Sequence, residues 1–318
     1  MRNISLHFVI VNYNSSNLIS RLLGILSSQI NQEYNVLIVN NSPEDRELLR
    51  LKNDTINIIQ AEKNIGFGQA CNLGLNWIYQ HNNQAIIWLI NPDTYFNSDT
   101  IDHKISPIDS AIAFFKRHPQ ISILGTTVYN SQGELTDAGG TFDFDTAALS
   151  VVTSLPENIK GDYLKTDWVS GCSLLINLAN FPQCPNFDPR YFLYYEDLDF
   201  CLRYGQQGHQ IAVTHLIKVM HETSSITNRN LKWKYQHITH SYLIHIEKYG
   251  SLPIFIMTNI RMSLNTLRLI LFKPQQGMGK LIGMISYWQE RIIMLKVLQF
   301  LIHRYEKKCP QMNADERR

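Results

Sequence analysis

Short apolar runs alternate with longer segments of helical periodicity through the first ninety residues: His7 to Val11, Leu18 to Ile30, Val36 to Val39, Ile56 to Ile59, Phe67 to Tyr79 and Ile86 to Ile90. That order predicts an α/β fold in which helices wind strands into a mostly parallel twisted sheet. In an open sheet of this kind, ligands bind beyond the carboxyl ends of the strands. The runs that end strands here are VIVNYN, VNNSPED and LINPDT, all rich in Asn and Asp.

Further along, a helix is expected from Pro107 to His118, a strand at ISILGTTVY, and a hairpin or surface loop at TDAGGTFDFD. Strands follow at Asp167 to Val169, Ser173 to Ile176 and Gln210 to Val219, with a helix beginning in YYEDLDFCLR between the last two. From about Asn230 the pattern turns helical, which divides the chain into a domain over 1–225 and a C-terminal helical extension over 226–318. Leu252 to Phe272 has the length of a membrane span. Arg261 and Arg268 interrupt it, with Thr258 and Asn265 on the same side, opposite a stripe of Ile256, Ile260, Leu264, Leu267 and Leu271. Leu281 to Ile302 is broken by Gln289, Glu290 and Arg291, so no transmembrane segment is expected, and an amphipathic helix packed on the domain or lying on a membrane surface fits better.

Charge divides along the chain. Residues 251–318 carry eleven Lys/Arg against four Asp/Glu, so the tail is basic and the front acidic. An acidic front argues against nucleic acid as a partner, whereas a basic apolar tail suits either anionic lipid headgroups or the solvated faces of ordinary helices. The five cysteines are scattered, without CxxC pairs or metal-ligand spacing, and read as reduced thiols of a cytoplasmic protein. The start goes straight into a strand pattern and shows no signal peptide.

The chemistry-bearing residues sit at the strand ends. Asn12, Tyr13 and Asn14 offer amides and a ring face to a nucleotide base, and Asn40 or Asn41 an acceptor for the N3 hydrogen of uracil or thymine; an Asx-capped turn would use the same residues. In NIGFGQACNLGL, Gly66 and Gly68 allow close backbone approach at a helix start bracketed by Asn64 and Asn72, but neither GxGxxG nor GK[ST] is present. Asn91, Pro92 and Asp93 end a strand at a carboxylate suited to Mg2+ or Mn2+ bridging two phosphates. Glu196, Asp197 and Asp199 crowd a helix start, where carboxylates can serve as proton acceptors or simply complement the helix dipole. Asp199 lies one turn from Arg203, a pairing distance.

Taken in order, VIVNYN, VNNSPED, NIGFGQACNLGL, LINPDT, WVSGCSLLI and FDPRYFLYYEDLDFCLR resemble the inverting family 2 glycosyltransferases, particularly their rhamnosyltransferase-like branch, over roughly residues 5–225. The resemblance implies a GT-A fold, a nucleoside-diphosphate sugar donor, and direct displacement at the anomeric carbon. It places Asn12 and Asn40 near the base, Asn64 and Asn72 near ribose and diphosphate, and Asp93 at a divalent metal, with His221 joining the metal or the diphosphate. Asp197 becomes the general base, Glu196 the group orienting the acceptor hydroxyl, and Trp168, Ser170, Gly171 and Cys172 the floor beneath the sugars. Asn40 and Asn91 stand where many relatives have aspartate, which leaves Asp93 as the one charged metal ligand of its motif. The tail, YQHITHSYLIHIEKYG, departs from the Arg-Asn pair of many branch members.

The expected activity is transfer of a sugar, rhamnose being one candidate, to a hydroxyl of a polysaccharide or lipid-linked glycan, in the cytoplasm or at the inner face of the cell membrane. Two other readings remain. A sugar nucleotidyltransferase would need a basic, glycine-rich loop near the amino terminus, which VIVNYNSSN lacks. A non-catalytic glycan- or partner-binding member would not need Asp93, Glu196 and Asp197 together.

Overall fold

The computed structural model describes residues 4–28, 34–96, 106–222 and 227–308. Twelve strands are β1 (Leu6–Asn12), β2 (Tyr34–Asn40), β3 (Ile56–Gln60), β4 (Ile86–Ile90), β5 (Thr94–Tyr95), β6 (Ile121–Tyr129), β7 (Leu135–Asp137), β8 (Gly140–Asp143), β9 (Ala148–Val151), β10 (Leu164–Lys165), β11 (Ser173–Asn177) and β12 (Gln210–His221). The helices are α1 (Ser16–Ser28), α2 (Phe67–His81), α3 (Pro107–Arg117), α4 (Glu196–Gln206), α5 (Leu231–Tyr249), α6 (Leu252–Phe272) and α7 (Pro274–Lys308).

The main sheet runs β10-β12-β6-β11-β4-β1-β2-β3, with β5 added to β12 and β7 to β6. β3, β2, β1 and β4 are parallel, as the opening alternation requires. β11 then enters antiparallel to both β4 and β6. Alternate residues of β1 explain why its run is apolar without a break. Phe8 and Ile10 pack with α1 and α3 on one face, Val9 and Val11 with α2 and α4 on the other, so both faces are buried. Local signals set the helix starts. The Ser106 hydroxyl accepts the Asp109 amide ahead of Pro107 in α3, and the Asn230 side chain accepts the Trp233 amide in α5.

One expected strand does not form. Of Asp167 to Val169, only Trp168 pairs, in an isolated bridge to Gly140, and the strand that joins β12 is β10, three residues earlier. TDAGGTFDFD folds as expected into a hairpin arm, β8 pairing with β9.

The extension is sealed onto the sheet domain. Leu243 and Ile244 of α5, Met262 of α6 and Tyr287 of α7 enclose Tyr191, which is fully buried in the loop before α4. A buried ionic knot adds to this contact. Asp199 of α4, with no exposure, accepts hydrogen bonds from Arg203 (2.7 Å), Lys248 (2.5 Å) and Tyr249 (2.9 Å). α6 turns Met262 and Thr266 inward and leaves its apolar stripe exposed, so the stripe is not what packs on the domain. By length and composition α6 is also apolar enough to cross a membrane, against the expectation drawn from Arg261 and Arg268, and only 11% of its most apolar stretch is buried, unlike a core helix.

Candidate active site

A cavity of about 280 Å³ opens beyond the carboxyl ends of β1 and β4. The turn after β4 supplies Asn91, Pro92 and Asp93. β5 pairs with β12 through Thr94 and His221, and the Glu222 amide binds the Asp93 carbonyl at 3.0 Å. This pairing carries His221 Nε2 to 3.2 Å from Asp93 Oδ1. Burial alone would lower the imidazole's pKa, but the hydrogen bonds to Asp93 and to the Cys172 thiol outweigh it and hold His221 up at about 10.

The opposite wall is the start of α4. Tyr194 and Tyr195 both adopt left-handed backbone, at φ 71° and 67°, a strained turn that aims the first helical turn into the cavity. Asp197 accepts the Gly171 amide on Oδ2 and the Leu198 amide on Oδ1, each at 2.8 Å. Burial pushes its carboxyl up, and these two N–H groups pull it back. At Glu196 a hydrogen bond with its own backbone N–H offsets only part of the effect. Burial first, then the charge of Asp197, drive it well above the usual carboxylate range, and its Oε2 has no hydrogen-bond partner among the described residues. Both carboxyls are raised, Glu196 well above its ordinary range, which leaves Asp197 the more acidic of the two neighbours.

Gly66 lies at φ 87° before α2, and a Cβ there would collide with the Phe192 carbonyl, the acceptor of the Phe67 amide at 2.9 Å. Only glycine fits this crossing. Asn64 reaches the same wall, its side chain accepting from Asn41 at 2.9 Å. Tyr13 stacks on Trp233 of α5, ring centroids 5.8 Å apart and planes 9° off parallel, so the extension closes one end of the cavity.

Of the residues expected in the site, Asn64, Gly66, Asn91, Asp93, Gly171, Glu196, Asp197 and His221 line this one cavity. Five do not. Asn12 and Asn40 have no exposure and face each other across the β1–β2 register, Asn12 Nδ2 donating to Asn40 Oδ1 at 2.9 Å and to Asp45 at 3.0 Å, while Asn40 Nδ2 donates to Gln60. Their amides tie strand ends together, and the neighbour Asn41 reaches the cavity instead. Asn14 is exposed, its carbonyl accepting from Arg229 at 3.1 Å. Asn72 is held by two hydrogen bonds to the Phe187 backbone, and Trp168 donates its ring N–H to the Ser150 carbonyl.

Two contributors had no signal in the local sequence. Thr227 and Trp233 reach the cavity from the extension, a long way from the strand-end motifs. Asp137, at the end of β7 in the TDAGGTFDFD segment, does not line the cavity but lies within reach of its charges. Its Oδ1 accepts the Gly139 amide at 2.8 Å, yet burial, reinforced by the charge of Asp197, raises its carboxyl to about 7.

A mostly parallel sheet with a hydrogen-bonded Asp–His pair and a carboxylate helix facing each other across one cavity fits the nucleotide-sugar transferase class of fold. Residues 7–143 match the family model described as Glycosyl transferase family 2. A low-salt glycan biosynthesis hexosyltransferase of Haloferax volcanii is 23% identical over 224 residues, covering 68% of this chain and 66% of the relative. An N-acetylglucosaminyl-diphospho-decaprenol L-rhamnosyltransferase of Mycobacterium tuberculosis is 24% identical over 244 residues, covering 70% and 77%. Among solved structures, GalNAc-T7 with UDP, GalNAc and Mn2+ shares the fold at a TM-score of 0.53 and 14% identity, over 69% of this chain and 44% of that one. The chain thus spans just under two thirds of the archaeal relative and less than half of GalNAc-T7. Over residues 7–143 it matches glycosyltransferase family 2, and over a longer span it is similar to rhamnosyl- and hexosyltransferases.

Proposed function

We propose that this protein transfers a sugar, with rhamnose the leading candidate, from a nucleoside-diphosphate donor to a hydroxyl of a polysaccharide or lipid-linked glycan, with inversion at the anomeric carbon. The observation that carries this reading is the single cavity shared by Asp93, His221 and Asp197. Displacement with inversion needs a base on the face opposite the leaving diphosphate, and the two walls of the cavity supply the two roles. Asp197, held by the Gly171 and Leu198 amides, accepts the proton of the acceptor hydroxyl. Glu196, beside it on the same wall, orients that hydroxyl.

A divalent metal fits the donor set. Asp93 offers an oxygen and His221 a nitrogen 3.2 Å apart, and no group of three or more His, Cys, Asp or Glu among the described residues could cage an ion unaided. A site of two protein ligands completed by phosphate oxygens suits Mg2+ or, given the imidazole, Mn2+. When bound, the ion supplies neutralisation of the departing diphosphate. The need for it is plain, because no lysine or arginine is among the described residues lining the cavity. The same scarcity of cations disfavours a nucleotidyltransferase, which must hold a triphosphate. GalNAc-T7, solved with UDP, GalNAc and Mn2+, supports the kind of donor and metal; the mycobacterial relative, a decaprenol-linked rhamnosyltransferase, supports the kind of acceptor. Four unpaired cysteines among the described residues suit the cytoplasm, where such donors are made.

The test is a panel of UDP-, GDP- and dTDP-sugars, each with and without Mn2+, read by thermal stabilisation and by slow donor hydrolysis. One nucleotide should stabilise the fold only with metal. No stabilisation by any nucleotide diphosphate would leave a non-catalytic glycan- or partner-binding role as the better reading.

A further inference from the structure

α6 presents an unusual surface for a helix at the edge of a folded domain. Advancing about 100° per residue, Ile256, Ile260, Leu264, Leu267 and Leu271 fall within an arc of roughly 80°. All are at least half exposed, Leu264 at 64% and Leu271 at 78%, and Leu252 lies near the strip at its amino end. Met262 and Thr266, the buried contacts to the rest of the extension, lie on the far side. The packed face and the apolar face are thus opposed, and burial among the described residues does not account for the second.

Charge says what would cover it. Arg261 and Arg268, both exposed, flank the apolar strip along one side. From Ser251 through Gln289 there are four Lys/Arg and no Asp or Glu. An isologous dimer through this face would set arginines of both copies on a surface holding no acid on α6 to receive them. An anionic lipid surface answers both features, taking the apolar strip between acyl chains and the arginines among phosphates.

The strip also has a place relative to the cavity. α7 begins directly after α6, and Gly277 packs on the backbone of Ile270 while Gly279 packs on the Lys232 carbonyl, so closely that a Cβ on either would collide. Lys232 adjoins Trp233, which lines the cavity. The carboxyl end of α6, with Leu271 and Phe272 most exposed, therefore lies at the cavity end of the extension.

We propose that α6 is a membrane-docking helix, its Ile256–Ile260–Leu264–Leu267–Leu271 strip entering the interfacial layer of an anionic bilayer with Arg261 and Arg268 paired to lipid phosphates. Docking is independent of the sugar-transfer reading; only its consequence, that the cavity is held near the surface from which a lipid-linked acceptor is offered, rests on that reading.

The experiment is co-sedimentation of the full chain at low salt with vesicles of phosphatidylcholine alone or mixed with phosphatidylglycerol, without donor or metal. Binding is expected to the mixed vesicles and to be at least about tenfold weaker to the neutral ones. Leu264→Asp with Leu267→Asp abolishes it, Leu264→Ser with Leu267→Ser weakens it, and Arg261→Gln with Arg268→Gln lowers it about 25-fold, at roughly fivefold per charge. Each variant keeps the wild-type melting temperature and its stabilisation by nucleotide, because the altered side chains are exposed and outside the cavity. The proposal is overturned by absence of binding, by binding that survives the aspartate pair, by a concentration-dependent dimer that this pair dissociates while vesicles are ignored, or by retention in membranes through alkaline extraction, which would make α6 a span. Vesicle binding with no nucleotide stabilisation would leave docking intact and overturn the sugar-transfer reading alone.

Discussion

Replacing Asp197 by Asn tests the base assignment, and the geometry says what else the change disturbs. Both carboxylate oxygens accept backbone N–H groups at 2.8 Å, Oδ1 from Leu198 and Oδ2 from Gly171. An asparagine has one acceptor oxygen, so its amide nitrogen must face one of these donors. Losing a charge-assisted hydrogen bond costs about 1.5–3 kcal/mol. Part of this is offset, because burial disfavours the charged form that the substitution removes and Glu196 is relieved of a neighbouring charge. A net loss of about 1–2 kcal/mol is expected, a melting-temperature drop of a few degrees. The catalytic loss is larger. Removing a positioned base slows proton transfer roughly 10²- to 10⁴-fold, about 3–5 kcal/mol at 1.36 kcal/mol per decade. The two effects separate in one assay: turnover at saturating donor, well below the melting temperature, alongside thermal stabilisation by nucleotide and metal. Stabilisation should persist while turnover falls. Turnover within tenfold of wild type in a folded, donor-binding variant would refute the role of Asp197.

Four further outcomes follow from the same coordinates. Asp137 is raised to about 7, so folding favours its protonated form; that stability is fully present below its ordinary value near 3.8 and is lost as pH rises through 7. Asp137→Asn, whose oxygen can still accept the Gly139 amide, should therefore gain on wild type by at most about 4 kcal/mol between pH 4 and pH 8 in urea unfolding. Asp199→Ala removes the buried partner of Arg203 and leaves Lys248 to Asp188 alone, and should cost up to about 3 kcal/mol by urea midpoint. His221 must shed its proton to bind a metal, so Mn2+ affinity should rise up to about tenfold per pH unit from pH 6 towards its value near 10, and His221→Ala should flatten that slope; a flat profile in wild type would remove His221 from the metal. A fragment of residues 1–225, lacking the α5 cover over Tyr191 and Asp199, should give no cooperative thermal transition, and a folded, nucleotide-binding fragment would show the division at 225 to be a true domain boundary.

The parallel half of the sheet was legible because its strands are buried on both faces, which writes each as an unbroken apolar run. The direction of β11 was not, because SLLIN has the same composition whichever way the chain enters the sheet, and the route of the preceding loop decides it. The strand expected around Trp168 failed for a related reason. Its ring N–H finds Ser150 and its backbone meets Gly140, which leaves β10 to pair with β12. In the site, residues whose turn geometry fixes their position, such as Gly66 and the carboxylates of α4, were found from the sequence. The asparagines were harder to read. An amide at a strand end binds a base or a neighbouring strand equally well, and the Asn12–Asn40 register settles it in favour of the neighbour. Trp233 and Thr227 join the cavity through tertiary packing of α5, for which the local sequence carries no mark.

The three acids of EDLD show how one helical turn is sorted by what packs against it. Asp199, one turn up from Tyr195, points to the extension, where Arg203, Lys248 and Tyr249 consume its acceptors, so its charge is neutralised and it holds α4 against α5. Glu196 points into the wall beside Gly68 and finds no donor for Oε2 among the described residues, so burial favours its protonated form. Asp197, between them, meets two backbone amides and the cavity, the one setting of the three in which a carboxylate is both stabilised and open to substrate. The extension enters this sorting directly: it takes Asp199 out of contention electrostatically and shapes the cavity through Trp233. Helix α5 is therefore as much a determinant of which acid can act as base as the turn that carries the acids.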